Sequence, residues 1–221
     1  VGYWNHGLSS DANPLNPKDT RVCPSAKDVL VAKEAFLRPL KKQGARSASL
    51  LSDRELYYFT AGENLWKKTD TWPPLDSQLQ RWYLSENASL SRAQPRLTKG
   101  KDQYKVNFNV GTGDFGRWYQ MDAVHYGDRA QADKALLTYT SAPLEQAIEI
   151  TGHPIVHLQM SSSETDGAVI VYLETVTPDG KVIMLTEGNL RLLHRKVSNK
   201  TPPYPIFGPY HTFKKEDAEP M

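Results

Sequence analysis

VIVYLET (Val169–Thr175), then Val176-Thr177-Pro178-Asp179-Gly180, then KVIML (Lys181–Leu185), reads as a β-hairpin in one continuous run. Both flanks are rich in β-branched residues, and the Pro-Asp-Gly tract between them supplies turn geometry at a residue-by-residue level. Proline presets φ for the first corner, aspartate accepts local hydrogen bonds, and glycine takes a left-handed backbone at no steric cost. This is the strongest hairpin signal in the chain, and it sets the expectation of an antiparallel, all-β fold.

Working outward, short aromatic and β-branched runs recur between turn-rich connections. Glu55–Thr60 (ELYYFT), Leu79–Leu84 (LQRWYL), Tyr104–Asn109 (YKVNFN), Leu136–Thr140 (LLTYT) and Ala147–Thr151 (AIEIT) all carry strand composition. In Ile155–Ser161 the residues Val156, Leu158 and Met160 alternate with His157 and Gln159, and Asn189–His194 (NLRLLH) closes the series. At least eight strands with no helix between them predict an antiparallel sandwich or jelly roll. The stretch from Pro202 to Met221 is Pro-rich and polar and predicts an extended loop along the surface. The sandwich is therefore expected to be incomplete at its C-terminus, with open strand edges.

The first quarter of the chain differs. Residues 8–24 read as loop. Residues 26–42 carry Val29, Ala32, Phe36 and Leu40 near helical spacing, with Ser25 as cap and Asp28 three residues later. Pro39 ends or kinks that helix, Lys41, Lys42 and Gly44 suit its C-terminus, and residues 44–53 read as linker. Ahead of it all stands Val1-Gly2-Tyr3-Trp4-Asn5-His6-Gly7, with no initiator Met. The expectation is a chain cut from a longer protein.

Bulk properties exclude several classes. Of 221 residues, 39% are hydrophobic and 24% charged, with a net charge of +2. That balance is ordinary for a globular chain and too weak to argue for nucleic acid or a membrane surface. Fifteen Pro and fourteen Gly fit a turn-rich β protein. Cys23 is alone, which excludes an internal disulfide framework and a multi-cysteine metal site. No run of 18 apolar residues predicts a membrane-spanning helix.

Chemistry-bearing groups are sparse. His6 sits in a turn before a helix and could act as a general base, since imidazole titrates near neutrality. No Gly-x-Ser-x-Gly elbow accompanies it, and Ser9, Ser10 and Asp11 lie on the same loop as the histidine. Taken by itself His6 is a turn histidine. His153 and His157 would point the same way along a strand, but about 13 Å apart, too far for a shared metal. Glu164 and Asp166 are the nearest carboxylate pair, and Asp166-Gly167 reads first as a turn, with calcium ligation as the lesser alternative. Gly111-Thr112-Gly113-Asp114-Phe115-Gly116 lacks the Lys-Ser/Thr ending and the helix of a phosphate loop. Five Trp (Trp4, Trp66, Trp72, Trp82, Trp118) could stack on sugars, but in a β-sandwich they more often belong to the core.

Several segments together resemble the C-terminal region of CocE/NonD hydrolases. They are Asp128-Arg129, Leu136–Leu144, Ile150-Thr151-Gly152-His153-Pro154, Ser161–Ser163, Asp166-Gly167, Val176–Gly180 and Thr186–Arg191. Tyr57-Tyr58-Phe59, Trp66 and Trp72-Pro73-Pro74 resemble the family's entry into that region, and Ala35–Lys41 resembles its last hydrolase-domain helix. The resemblance implies residues 1–44 as the end of an α/β-hydrolase domain. It implies residues 45–221 as an X-Pro dipeptidyl-peptidase C-terminal-like jelly roll of galactose-binding-like type, truncated. In that family the catalytic histidine lies in a Gly-Pro-Trp-x-His-Gly-like turn, which Gly2–Gly7 matches with Tyr3 in place of Pro. His6 is then the last member of a Ser-Asp-His triad whose Ser and Asp precede Val1. The implied activity is hydrolysis of an ester, amide or X-Pro peptide bond, with no metal or cofactor. The implied partners are a small-molecule or peptide substrate and the hydrolase domain upstream. Compartment and oligomeric state stay open. The competing reading is a non-catalytic carbohydrate-binding or structural sandwich, which requires Trp side chains exposed on one face.

Overall fold

A computed structural model describes residues 1–4, 13–16, 25, 27, 29–30, 33–34, 37, 55–97, 99–112 and 126–221. Their regular structure is mainly β: six strands form three two-stranded sheets, with four short 3-10 turns between and after them. The chain divides into two compact units, Val1–Ile150 with Val176–Ile183, and Thr151–Thr175 with Met184–Met221.

In the first unit, β1 (Leu56–Thr60) and β2 (Leu65–Thr69) pair antiparallel with Phe59 opposite Trp66. Ala61–Asn64 turns the chain between them, and Asn64 takes a left-handed backbone (φ 55°), which asparagine tolerates better than most residues. Phe59 and Ala61 are buried, and Tyr3 and Trp4 pack against them. Burying Phe59 contributes about 2 kcal/mol by removing its ring from water. β3 (Tyr83–Ser85) and β4 (Ser89–Ser91) form a second antiparallel pair around a 3-10 turn at Glu86–Ala88. Ser89 also bridges in parallel to Thr140, with Leu90 N–H donating to the Thr140 carbonyl at 3.0 Å.

The hairpin expected at Val169–Leu185 is present as β5 (Ala168–Val176) and β6 (Val182–Arg191). Its turn is held as the Pro-Asp-Gly chemistry requires. Gly180 N–H donates to the Thr177 carbonyl at 2.8 Å, and Thr177 N–H to the Lys181 carbonyl at 2.9 Å. The Thr177 hydroxyl donates to Asp179 at 2.5 Å and accepts from Lys181 N–H at 3.1 Å. Gly180 has φ +84°, the left-handed position of a type I turn with a glycine bulge. In the second unit the stem continues past β6: Leu192 N–H donates to the Gly167 carbonyl at 2.8 Å, and Leu192 is buried.

The helix expected over 26–42 agrees at the residues described. Lys27, Val29, Leu30, Lys33, Glu34 and Leu37 are helical, and Val29 N–H donates to the Ser25 carbonyl at 3.1 Å. Val29 and Leu30 are exposed, while Ala32, Phe36 and Leu40 lie outside the described residues.

Six strand expectations are corrected. Leu79–Leu84 yields only Tyr83 and Leu84 to β3, and Leu79 is 91% exposed. Tyr104–Asn109 is not a strand, and Phe108 is 96% exposed. Leu136–Thr140 contributes one bridge at Thr140. Ala147–Thr151 and Ile155–Ser161 have no ladder partner among the described residues. Asn189–His194 is not a separate strand: β6 runs through Gly188 to Arg191, and Leu192–His194 form a 3-10 turn. The physical reason is common to the first five. Strand composition expresses a fit to a pleated, half-buried surface, and without a backbone partner it confers no ladder.

The tail is extended as expected, with one 3-10 turn at Lys215–Asp217. It is tied down by Ser198 N–H to the Tyr210 carbonyl (2.8 Å), Glu219 N–H to the Leu193 carbonyl (2.9 Å) and Met221 N–H to the Thr165 carbonyl (2.9 Å). The Arg195 guanidinium donates to the Leu192, Glu219 and Pro220 carbonyls.

Three substitutions test this fold by urea denaturation. Phe59→Ala is expected to cost about 3 kcal/mol through the cavity it opens. Gly180→Ala is expected to cost about 1 kcal/mol from backbone conformation alone, because open space surrounds its Cβ position. Gly180→Asn should cost less than Gly180→Ala.

Candidate functional site

His6, the one residue expected to do chemistry, lies outside the described residues, as do Gly7 to Ala12. The chain on either side of this stretch is described, and both sides rest on the β1–β2 hairpin.

On the N-terminal side, the Val1 nitrogen donates to the Tyr57 carbonyl at 2.6 Å, and Phe59 N–H donates to the Val1 carbonyl at 3.0 Å. That pattern brackets Tyr58 as in a parallel strand pair. Trp4 stacks on Trp66 with ring centroids 6.4 Å apart, and Trp66 meets Phe59 edge-on at 5.5 Å. A Cβ at Gly2 would run into the Trp4 ring, so the glycine of Gly2-Tyr3-Trp4 is what lets the indole fold back over the backbone. Tyr3 stands where the resembling family carries proline, and burial pushes its phenol pKa up.

On the C-terminal side, Asn13 is 1% exposed and fully engaged at its oxygen. Its Oδ1 accepts from Leu15 N–H at 3.0 Å and Asn16 N–H at 3.3 Å, an Asx turn. Its Nδ2 donates to Asn64 Oδ1 at 3.2 Å, on the β1–β2 turn. Leu15 lies over Gly62 of the same turn, its methyl 3.5 Å from where a Cβ would be. Lys67 on β2 adds a tie to distant chain, pairing with Glu149 at 2.5 Å, and a local one to Glu63 at 2.6 Å.

The other sequence candidates serve structure. Asp128 Oδ1 accepts from Ala130 N–H at 2.9 Å and Val182 N–H at 3.0 Å, and Arg129 N–H donates to the Val182 carbonyl at 2.9 Å. Arg129, 7% exposed, donates to the Gly111 carbonyl at 3.0 Å and faces Asp133 at 3.4 Å. Asp128-Arg129 is thus a clasp on the start of β6. The two N–H donors hold the Asp128 carboxyl below the usual aspartate range. Asp166 is engaged by Arg191 through Nε at 2.9 Å and Nη2 at 2.7 Å, and that guanidinium lowers its pKa. Its carboxylate braces the hairpin stem, and Asp166-Gly167 itself forms no turn. Among the described residues, no three His, Cys, Asp or Glu side chains are grouped to hold a metal ion.

His153 stacks on Phe207 at 5.4 Å, and His157 is on no strand, so the shared face expected for this pair is absent. His194 and His211 each meet the Phe213 ring. Trp66 packs on Trp4 and Phe59, Trp72 meets Tyr58 edge-on at 5.5 Å, and Arg92 lies over Trp82 at 5.9 Å. Trp118 and Gly113 to Gly116 lie outside the described residues. Among the described residues, no helix is long and apolar enough to cross a membrane.

Residues 41–220 match the family described as the X-Pro dipeptidyl-peptidase C-terminal non-catalytic domain. A protein named as a proposed serine esterase in Mycobacterium bovis is 44% identical over 174 residues, 77% of this chain and 28% of that protein. A relative of the same description in Mycobacterium tuberculosis has the same figures. The cocaine esterase of Rhodococcus sp. strain MB1 Bresler is 28% identical over 212 residues, 89% of this chain and 36% of that enzyme. The chain therefore spans about a third of the length of these relatives. No solved structure matches it at a significant level.

The Asp128 clasp makes a pH prediction. Its carboxyl titrates lower in the folded chain than in the unfolded one, so its contribution is present above the unfolded value near 3.8. It is lost as pH falls through the lower folded value. Urea midpoints should drop between pH 5 and about pH 3, and Asp128→Asn should shrink that drop, since the amide keeps an acceptor but cannot titrate.

Proposed function

This chain belongs to the family of the X-Pro dipeptidyl-peptidase C-terminal non-catalytic domain, and from that premise we propose that it is the C-terminal part of a serine hydrolase. The observation that carries the proposal is the 44% identity, over 77% of the chain, to relatives named as proposed serine esterases about three times as long. In this reading residues 45–221 are the C-terminal domain, a jelly roll truncated at its end, and residues 1–44 close the α/β-hydrolase domain. The family match starting at residue 41 supports a division there, and it leaves His6 on the hydrolase side.

The proposed mechanism is acyl transfer. A serine upstream of Val1 attacks an ester or amide carbonyl, with X-Pro peptide bonds among the candidate substrates. His6 takes the serine proton and returns it to the leaving group, and an upstream aspartate orients the imidazole. Backbone N–H groups of the upstream domain stabilise the oxyanion. The exposed Val29 and Leu30 offer an apolar helix surface for that domain to cover. The carbohydrate-binding alternative asks for exposed Trp: Trp66 is 43% exposed and Trp72 and Trp82 are half-buried, and each of the three meets a neighbouring side chain.

In the whole enzyme, His6→Ala should lower kcat/KM for p-nitrophenyl acetate by at least about 10³-fold. Near-parental turnover in that variant would remove His6 from the mechanism. The 221-residue chain by itself should show no turnover above buffer, and activity abolished by His6→Ala in that short chain would overturn the division of the triad.

A further inference from the structure

The chain holds two Asp-Gly pairs, Asp166-Gly167 and Asp179-Gly180. Such a pair carries one intrinsic reaction. The glycine nitrogen can attack the side-chain carboxyl carbon of the aspartate before it, because glycine has no side chain to keep the two groups apart. The two pairs are placed differently for that step. At Asp179-Gly180 both reactants are held elsewhere. Gly180 N–H donates to the Thr177 carbonyl at 2.8 Å, and the Asp179 carboxylate takes the Thr177 hydroxyl at 2.5 Å and Lys181 Nζ at 3.0 Å. At Asp166-Gly167 the reactants face each other. Gly167 N lies 2.8 Å from Asp166 Oδ1, the atom bonded to the carboxyl carbon. Contact of this kind is the near-attack arrangement that speeds an intramolecular reaction.

From this geometry we infer that Asp166-Gly167 is a site of spontaneous covalent modification, where aspartate converts to isoaspartate through a succinimide, and that Arg191 guards it. The chemistry balances with water alone. A C–N bond forms between Gly167 N and Asp166 Cγ, and the amide proton and the carboxyl hydroxyl leave together as one water. Hydrolysis of the ring at the Asp166 main-chain carbonyl takes that water back, breaks the original peptide bond and leaves isoaspartate. The departing hydroxyl requires a protonated carboxyl, and Arg191 opposes this. Its Nε and Nη2 hold Oδ2 at 2.9 and 2.7 Å and keep the acid ionised. The Arg191 side chain is 60% exposed, and an ion pair so placed is weak and opens readily. Conversion routes the main chain through Cβ and Cγ, adds a backbone methylene and moves the carboxylate off Arg191. Gly167 is then displaced from Leu192, whose N–H its carbonyl accepts at 2.8 Å beside the β5–β6 stem. The stem thus carries a slow route to its own loosening, whatever reaction the whole protein catalyses.

The test ages the whole protein in mildly acidic buffer and follows residues 166 and 179 by peptide mapping. Electron-based fragmentation tells isoaspartate from aspartate, and loss of one water marks the succinimide. Asp166 should convert at least about tenfold faster than Asp179. Gly167→Ala should slow conversion at 166 several-fold, since a methyl crowds the attacking nitrogen. That variant should keep the fold, because its Cβ would meet the Leu192 δ-methyl at an ordinary 3.5 Å. Arg191→Gln should speed conversion at 166 several-fold and leave 179 unchanged, since the carboxyl is then protonated more often. Conversion at 166 no faster than at 179 in the parental protein overturns the site. A parental rate in Gly167→Ala overturns attack by that nitrogen, and an Arg191→Gln rate no higher than parental overturns the guard.

Discussion

Phe59 facing Trp66 across the β1–β2 ladder is the contact around which the first hairpin and the chain ends packed on it are arranged. An edge-on aromatic pair of this kind adds about 1 kcal/mol beyond the area it buries. Its larger consequence is geometric. With Phe59 buried, the Trp66 ring meets it edge-on, and Trp4 stacks on Trp66 while packing against the Phe59 cluster. The same ladder sets Tyr57 and Phe59 to receive the Val1 backbone, places Asn64 at the turn, and points Lys67 to Glu63 and Glu149. One hairpin of two five-residue strands thus gathers chain from positions 1, 13 and 149.

The second hairpin is built by different means. Its turn is specified locally by Thr177, Pro178, Asp179 and Gly180, whose hydrogen bonds span four residues. Asp128 and Arg129 then hold the start of β6 from a distance, and Asp166 braces its end through Arg191. The short family-like segments Asp128-Arg129 and Asp166-Gly167 therefore support the hairpin at its two ends. Carboxylates in both are occupied by N–H donors, which is what lowers their pKa values.

Much of this was legible in the residues, and the failures share one cause. The Pro-Asp-Gly turn, β1 and the helix near Ser25 were readable because each depends on neighbours within a few positions. Tyr104–Asn109 and Ile155–Ser161 carry equally good strand composition and form no ladder among the described residues. Composition does not distinguish them from Val169–Thr175; what that strand has besides is the Pro-Asp-Gly tract that brings its partner alongside. The expectation that His6 does chemistry came only through its likeness to a family motif, and the residue lies outside the described ones. Asn13 and Asn64 were not readable at all: two asparagines 51 positions apart carry no periodicity, spacing or composition cue.

The sequence by itself determined the β character of the chain, the place and type of its main turn, and the family to which residues 41–220 belong. Those properties follow from local sterics and from residue order. Only the tertiary structure decided which apolar runs find a partner, that Asp128 and Arg129 clasp β6, and that chain on both sides of His6 rests on one hairpin. Each of these is a contact between residues far apart in sequence, and its free energy depends on desolvation and packing that no local window of residues contains.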